Sequence, residues 1–437
     1  MPFSWFGEVE TLDQRTFGIA LVATLAWAIV LMPSLAEAER PSLTLDEALR
    51  LAHDRSPALK AARQLPGEAR GALTTARLFL QDNPELEVAG GPRSASELES
   101  GTTDLELQVE QRFEVGGQRR HRIARADAGV SAAEASVEEA RRSLDLAVAD
   151  VFYEALAARE QTRLLREGER LAASLETVAM RRLEAGEGTA LELNTARIRR
   201  AEAARRLTAA KAARKAVGIR LAELIGLSPA QAPEPVGALP AESPLASESE
   251  LLARGLETHP DLRAAEMNAA SAQAAVALAD AEAVPDLGLA ISAAREEGQD
   301  VLLAGVRISL PFINRNRGRR EETRAVLLRR EAQVAQKRLA VEADLRRAWH
   351  IYEAALAAHQ LYDAEIINAQ AESLELLEQA FGAGEVGYAE VVVVQREVLD
   401  GRLGRLDAEL ALAQATARLL AAAHLPQTSS APETTDD

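Results

Sequence analysis

The residues able to do chemistry are arranged for attraction rather than reaction. The six histidines, at positions 53, 121, 259, 350, 359 and 424, contain no His-x-x-x-His pair or other metal-ligand spacing. There is no cysteine, which removes thiolate ligands, cysteine nucleophiles, disulfides and a lipidated N-terminal cysteine. No nucleophile–base constellation and no nucleotide-binding motif occurs, so neither catalysis nor a resident cofactor or metal is expected. What remains is a set of carboxylates in strict alternation. Glu85 and Glu87 flank Leu86; Asp104, Glu106, Gln108, Glu110 and Arg112 interleave with Leu105, Leu107, Val109 and Phe113. Strands carrying them would have one charged and one apolar face. Like charges on a confined wall concentrate counter-ions. A wet wall could equally carry Glu for hydration alone. The later segment with Gly288, Ala290, Ser292 and Ser309 lacks this density and adds a positive Arg307, while Val306, Ile308 and Phe312 take its apolar side.

Two rods must position these strands. Gln118 to about Leu183 has no proline and only two glycines, Gly129 and Gly168, in a background of Ala, Leu, Glu and Arg. Val137, Leu144, Val151, Ala158, Leu165, Ala172 and Ala179 recur every seven residues. A helix of this length reaches about 100 Å at ~1.5 Å per residue. Arg319 to Gln379 repeats the pattern with Val334, Val341, Ala348, Ala355, Tyr362, Ala369 and Leu376. A seven-residue repeat implies helices wound left-handedly around one another.

The two rods belong to a duplication. Glu47 and Pro57-Ala-Leu59 match Glu250 and Pro260-Asp-Leu262 at an offset of 203; Phe113 and Tyr153 match Phe312 and Tyr352 at 199; Ala185-Gly186-Glu187 matches Ala383-Gly384-Glu385 at 198. Each unit reads helix, strand, loop, strand, long helix, tight turn, returning helix. Thr44 with Glu47 has capping-box spacing, and the helix it starts is expected to resume from Leu59 to Leu80. The strands are expected at about 85–90, 103–113, 286–293 and 301–310. The domain plan is a signal peptide over 1–38, a first repeat over 39–227, a linker over 228–247, a second repeat over 248–425 and a disordered tail over 426–437. Pro229, Pro233, Pro235, Pro240 and Pro244 argue against helix or central strand in the linker.

The 437 residues carry a formal net charge of −17, which speaks against nucleic acid as a partner. One strongly apolar run, Phe17 to Met32, precedes Ala36-Glu37-Ala38, which fits a signal-peptidase site. Glu8, Glu10 and Asp13 against a single Arg15 leave an uncleaved anchor, or a start Met assigned too early, as the alternatives. No other stretch could span a membrane as a helix. A bilayer crossing after export must therefore use strands. Four strands cannot close a barrel, because small barrels need about eight. Open sheet edges in lipid have no water to satisfy them. Several chains pooling their strands solve the problem, and three chains give twelve.

These features resemble the TolC superfamily of outer-membrane efflux proteins. The resemblance rests on the duplicated element order and on Leu43-Thr-Leu-Asp-Glu-Ala-Leu49, Phe113-Glu-Val-Gly-Gly-Gln-Arg119 and Leu310-Pro-Phe-Ile-Asn-Arg-Asn-Arg-Gly318. The turns Leu183-Glu-Ala-Gly186 and Phe381-Gly-Ala-Gly384, followed by Glu192 and Glu390, fit as well. The Phe113–Arg119 run most resembles the cobalt–zinc–cadmium resistance (CzcC-like) branch. The resemblance implies a mainly α homotrimer with a small β part, an α-helical barrel continued by a shared 12-strand transmembrane β-barrel. It implies an outer-membrane location with a long periplasmic portion, and docking to a periplasmic membrane-fusion adaptor and an inner-membrane RND pump. The expected role is a passive, non-enzymatic exit duct for heavy-metal cations. A duct for drugs or secreted protein, or an exported coiled-coil scaffold without a pore, is the alternative. Ala185, Gly186, Glu187 and Gly188 in one turn, with Ala383, Gly384, Glu385 and Gly387 in the other, are the expected adaptor contacts. Glu85, Glu87, Asp104, Glu106 and Glu110 are expected to face the lumen. Leu105, Leu107, Val109, Phe113, Val306, Ile308 and Phe312 are expected to face outer-membrane lipid.

Arg119, Arg120, Arg122 and Arg125 start one rod, and Arg315, Arg317, Arg319 and Arg320 the other. Cations at a helix N-terminus oppose its dipole. Plain solvation is the favoured compensation, with lipid phosphates or nearby carboxylates as the alternatives.

Overall fold

The computed structural model describes residues 42–93, 102–240, 246–296, 299–362 and 385–427, with isolated positions between 369 and 381. The expected signal peptide, the loop 94–101, part of the linker at 241–245, the turn residues Ala383 and Gly384, and the tail from 428 lie outside the described residues.

The two halves begin with the same device. In helix α1 (Leu45–Arg55), Thr44 Oγ1 accepts from the Glu47 N–H at 3.3 Å while the Glu47 carboxylate accepts from the Thr44 N–H at 2.9 Å. Those bonds hold the Glu47 carboxyl below the usual range. Ser247 and Glu250 form the same capping box at the start of the corresponding helix in the second half (Glu248–Thr258, below α6). The next helices differ. In the first half the expected run from Leu59 to Leu80 is broken into α2 (Pro57–Ala62) and α3 (Leu65–Ala76). Pro66 has no N–H to offer Ala62 and biases Leu65 away from helical geometry. The second half has no proline there.

Strands β1 (Glu85–Arg93) and β2 (Thr102–Phe113) follow, then the unbroken 67-residue helix α4 (Gln118–Glu184) and the returning α5 (Ala190–Leu224). The second half supplies α6 (Glu248–Thr258), α7 (Pro260–Ala281), β3 (Leu287–Glu296), β4 (Gln299–Ile308), α8 (Arg317–Gln360) and α9 (Tyr388–Ala422). The long helices start from left-handed caps: Gly117 at φ 78° and Asn316 at φ 58°, two residue types that tolerate this region. The second rod is continuous only to Gln360, not across the expected span to Gln379. Tyr362 leaves the helix in a tight turn, its N–H donating to the His359 carbonyl at 3.0 Å, and helical residues recur among 369–381.

The sheet is antiparallel with strand order β1-β2-β3-β4. The helices repeat that order. α3 packs on α4, α4 on α7 and α7 on α8, so each strand continues into one helix of the layer beneath. Further along, α5, α4, α9 and α8 are neighbours in that order. The first rod is central to both layers. Of its heptad residues, Leu144, Val151, Ala158, Leu165, Ala172 and Ala179 are buried. The second rod lies at the outer flank of the wall. Only Val341 and Ala355 of its series are buried, because among the described residues one side of α8 has little packed against it.

The linker is more ordered than its prolines suggested. Residues 229–231 form a 3₁₀ turn, with Pro229 at the first position, where no N–H is needed. The Val236 N–H donates to the Leu43 carbonyl at 2.8 Å, Arg159 donates to the Pro235 carbonyl at 2.7 Å, and Arg214 pairs with Glu234. The strap lies beside a core in which Val148, Leu221, Ile225, Ala52 and Leu59 are almost fully buried. The halves are also tied directly. Arg142 holds Glu139 at 2.6 Å and donates to the Ala421 carbonyl at 3.2 Å, so a cation meets the negative end of α9. That Glu139 bond raises the Arg142 guanidinium above its ordinary value.

Gly226 closes α5 at φ 71°, and a Cβ there would lie 2.8 Å from the backbone of Arg55. Gly226→Ala is expected to cost more than ~1 kcal/mol and lower the thermal midpoint of the purified protein, whereas Gly218→Ala, with its nearest neighbour at 3.7 Å, should be neutral or slightly stabilising.

Candidate functional site

The strand register sorts side chains between two faces. Glu85 opposes Glu110, Glu87 opposes Gln108, Ala89 opposes Glu106 and Gly91 opposes Asp104. Across the junction between halves, Glu106, Gln108, Glu110 and Arg112 face Ala294, Ser292, Ala290 and Gly288, and Gly288 faces Arg307. The five carboxylates therefore share one face of one sheet. Leu86, Val88, Leu105, Leu107, Val109, Phe113, Leu287, Leu289, Ile291, Val306 and Ile308 share the other. The strands are 9, 12, 10 and 10 residues long, close to the ~9–11 that a tilted strand needs to cross a bilayer.

Phe312 departs from this arrangement. The last residue of β4 is Ile308, paired with Leu287, and the ladder ends there because β3 has no earlier residue to pair. Phe312 lies in the following turn, its N–H donating to the Leu310 carbonyl at 2.9 Å and its side chain 75% exposed. It is not a strand residue and does not mirror Phe113, which pairs with Leu287.

The charged face is not uniformly negative. Glu110 forms an ion pair with Arg307, and Arg112 lies 3.6 Å from Asp82. A cleft of about 600 Å³ at the base of the sheet holds Glu85, Glu110, Asp286, Arg112, Arg307 and Arg315 together. Among the described residues, Glu85, Glu87 and Glu106 form no ion pair. Register across the two halves decides this pairing, and register was not visible in the alternation of either half.

The arginines at the rod starts have found acceptors. Arg119 donates to the Arg77 carbonyl at 2.9 Å, and Arg122 to the carbonyls of Ala76 and Leu78 and to Glu114. Arg320 pairs with Asp280, and Arg319 lies 3.4 Å from Glu322. The expectation of plain solvation fails for these four. The negative C-terminal end of α3, beside the start of α4, compensates Arg119 and Arg122, while nearby carboxylates compensate Arg319 and Arg320.

At the opposite end of the rods, two hairpin turns use one backbone solution. The Glu187 N–H donates to the Arg182 carbonyl and the Glu385 N–H to the Ala380 carbonyl, both at 2.9 Å. Glu192 and Glu390 then accept from the N–H groups of Thr189 and Gly387 at 3.3 and 3.2 Å. Gly186, at φ 76°, makes the reversal possible. Ala185, Gly186, Glu187, Glu385 and Gly387 are exposed, and Gly188 is half-buried. Beneath them sits a clasp that the spacing did not reveal. Phe381 and Tyr388 are 3% and 5% exposed, their rings are 6.1 Å apart, and the Arg182 guanidinium lies 5.3 Å over the Phe381 ring. Burial pushes the Tyr388 hydroxyl up from its ordinary value. The only sequence signal was that two aromatics flank the second turn and none flanks the first. Among the described residues no group of acidic or histidine side chains could hold a metal ion. No described helix is long and apolar enough to cross a membrane.

A two-faced sheet continued strand for helix by a wall of long helices is a recurrent design. Residues 48–227 and 251–423 match the family model of the outer membrane efflux protein, one match for each half. The chain belongs to the outer membrane efflux protein family. It is 27% identical over 363 residues to the cobalt-zinc-cadmium resistance protein CzcC of Cupriavidus metallidurans, spanning 83% of this chain and 85% of that protein. Among solved structures, the outer-membrane channel OprN is similar at 18% identity and a TM-score of 0.72, over 87% of this chain and 89% of that one. The outer membrane protein VceC of Vibrio cholerae is similar at 18% identity and a TM-score of 0.72, over 88% and 97%. At these identities the likeness concerns the fold alone. Membership places this efflux protein in the outer membrane.

Leu107 and Gln108 lie on opposite faces of β2. A charge on the lipid side of a barrel costs up to ~2–4 kcal/mol near the midplane, and less for Asp. Leu107→Asp is expected to reduce the amount of assembled protein in outer-membrane fractions several-fold, and Gln108→Asp to leave it unchanged.

Proposed function

We propose that this efflux protein is the passive outer-membrane exit duct of a tripartite system, assembled as a homotrimer with twelve pooled strands. The observation that carries the reading is the open sheet. Among the described residues β1 and β4 each leave one edge unpaired, and the helices beneath them end in the same open flanks. In lipid, unpaired edge N–H and C=O groups each cost several kcal/mol, so closure by sister chains is the economical solution. Three chains bring the strand count past the ~8 that closure needs.

The cargo proposed is a heavy-metal cation. A relative named for cobalt, zinc and cadmium resistance supports that class, and so do Glu85, Glu87 and Glu106 on the charged face. A wide, wet tunnel with carboxylate walls enriches cations without binding them tightly. Nothing in the sequence matches a nucleotide-binding motif, so the driving force is assigned to an inner-membrane RND pump. The exposed tips at Ala185–Gly188 and Glu385–Gly387, with Ala383 and Gly384 between them in sequence, are assigned to a periplasmic adaptor. Loops at the ends of rigid elements commonly carry such contacts.

Deleting the chain from its host should lower the growth-inhibitory concentrations of cobalt, zinc and cadmium several-fold, with dyes and antibiotics unaffected. The reverse pattern would assign the duct to drugs. Glu187→Lys combined with Glu385→Lys should abolish co-purification of the adaptor while the trimer stays in the outer membrane. Undiminished co-purification would move the docking surface elsewhere.

A further inference from the structure

The two hairpins of the sheet pair in one register. Leu86 faces Val109 in the first, and Leu287 faces Ile308 in the second. Leu287 is the duplicate of Leu86 at an offset of 201, and Ile308 that of Val109 at 199. The left-handed caps Gly117 and Asn316 are also 199 apart, so the starts of the rods agree with the strands. Beyond Val109 the likeness stops. β2 continues to Phe113, and Gln111, Arg112 and Phe113 are paired by β3 of the other half alone. β4 ends at Ile308, and the duplicates of those three residues, Leu310, Pro311 and Phe312, have no strand beside them among the described residues. What β2 has and β4 lacks is a neighbour from the other half.

The joint between β2 and β3 shows the form of that neighbour. It sets Phe113 opposite Leu287, Gln111 opposite Leu289 and Val109 opposite Ile291. Carried over by the two offsets, it sets Phe312 opposite Leu86, Leu310 opposite Val88 and Ile308 opposite Gly90 of another copy. A one-residue error would set apolar side chains against charged ones. Instead, Leu310 and Phe312 follow Val306 and Ile308 at period two and meet the apolar side of β1, while Pro311 meets Glu87 on the charged side. Leu86, Val88, Leu310 and Phe312 are all exposed.

Below the strands the joint within the chain is closed by Gln118, which is 3% exposed and donates from Nε2 to Asp286 Oδ1 at 2.9 Å. The duplicates of these two residues are Arg317 and Glu85. Both are exposed, and neither forms an ion pair among the described residues. Each is longer than its counterpart, which suits a wider joint. Arg315 requires one, because it stands where Gly116 lets the Ala281 carbonyl approach to 2.6 Å from a Cβ placed there.

We infer that residues 309–312 extend β4 by pairing with the β1 edge of a second copy, in the register Phe312 to Leu86, and that Arg317 closes the joint as an ion pair with Glu85 of that copy. The inference rests on the trimer reading and adds to it the register and the residues that fix it. β3 does not reach Pro311, so the extension has one free side there, where proline is tolerated.

The chain has no native cysteine, so a disulfide can read the register. Phe312→Cys with Leu86→Cys should form a disulfide between copies, because directly opposed Cα atoms lie ~4.5–5.5 Å apart. Leu310→Cys with Leu86→Cys, two residues out of register on the same face, should cross-link roughly ten-fold less, since a disulfide fails beyond ~7 Å. Phe113→Cys with Leu287→Cys should close within one chain and serves as the control. In the chain without cysteine, Arg317→Glu should lower the fraction of trimer surviving in detergent about five-fold, and adding Glu85→Arg should restore it to within about two-fold. Should the cysteine variants not reach the membrane, the charge exchange decides alone. A trimer that forms no disulfide between copies, or forms it equally in both registers, overturns the inference, and so does a trimer indifferent to Arg317→Glu or not rescued by Glu85→Arg. A wild-type protein that is monomeric in native mass spectrometry in detergent overturns the trimer reading itself, which separates the two failures.

Discussion

A backbone N–H or C=O in hydrocarbon must find a partner, and every other feature of this molecule is arranged around that requirement. A single chain supplies four strands to this sheet, and among the described residues nothing satisfies its two outermost rows of groups. The apolar face of β2 and β3 suits lipid, yet an open sheet with such a face is the arrangement that lipid tolerates least. The helices inherit the problem. Because each strand runs into one helix of the layer beneath, an unclosed sheet leaves an unclosed wall, with α3 and α5 exposed on one side and α8 on the other. Closing the sheet and closing the wall are thus one event in the proposed assembly.

The long helices answer a second constraint, which is to carry an aqueous path far from the membrane with few aromatic residues. Alanine at Ala158, Ala172 and Ala179 lets helices approach closely, and Gly404 and Gly255 do the same where Tyr362 and Leu345 press against them. The first rod can be buried along nearly its whole heptad series because it is central in both layers. The second cannot, because it is the flank. Equal sequence patterns thus give unequal burial, and the inequality measures how much of each rod awaits a neighbour.

Much of this was legible in the residues. Period-two and period-seven patterns located the strands and rods, and the repeated capping boxes and turns exposed the duplication. Those signals are local, since each depends on residues within a few positions of one another. What escaped was set by contacts between halves. The pairing of Glu110 with Arg307 depends on a register that joins residues 197 positions apart. Arg119 and Arg122 looked like cations left to solvent because the carbonyls of Ala76, Arg77 and Leu78 reach them only after the chain has gone up and down the sheet. Phe312 was misplaced for a related reason: the duplication implied a strand end like that of Phe113, but pairing with Leu287 stops the ladder at Ile308. Pro66 broke a helix that its duplicate keeps whole, which a closer weighting of one residue would have found.

Duplication also explains why the halves need not remain alike. Within one chain each unit meets the other across α4–α7 and α4–α9, and these contacts are dominated by small and apolar residues whose substitution disturbs the core. The outer flanks are freer, because fewer contacts within the chain hold them. Charge can drift there at little cost to the fold of the single chain, since exposed pairs contribute only ~0–1 kcal/mol each.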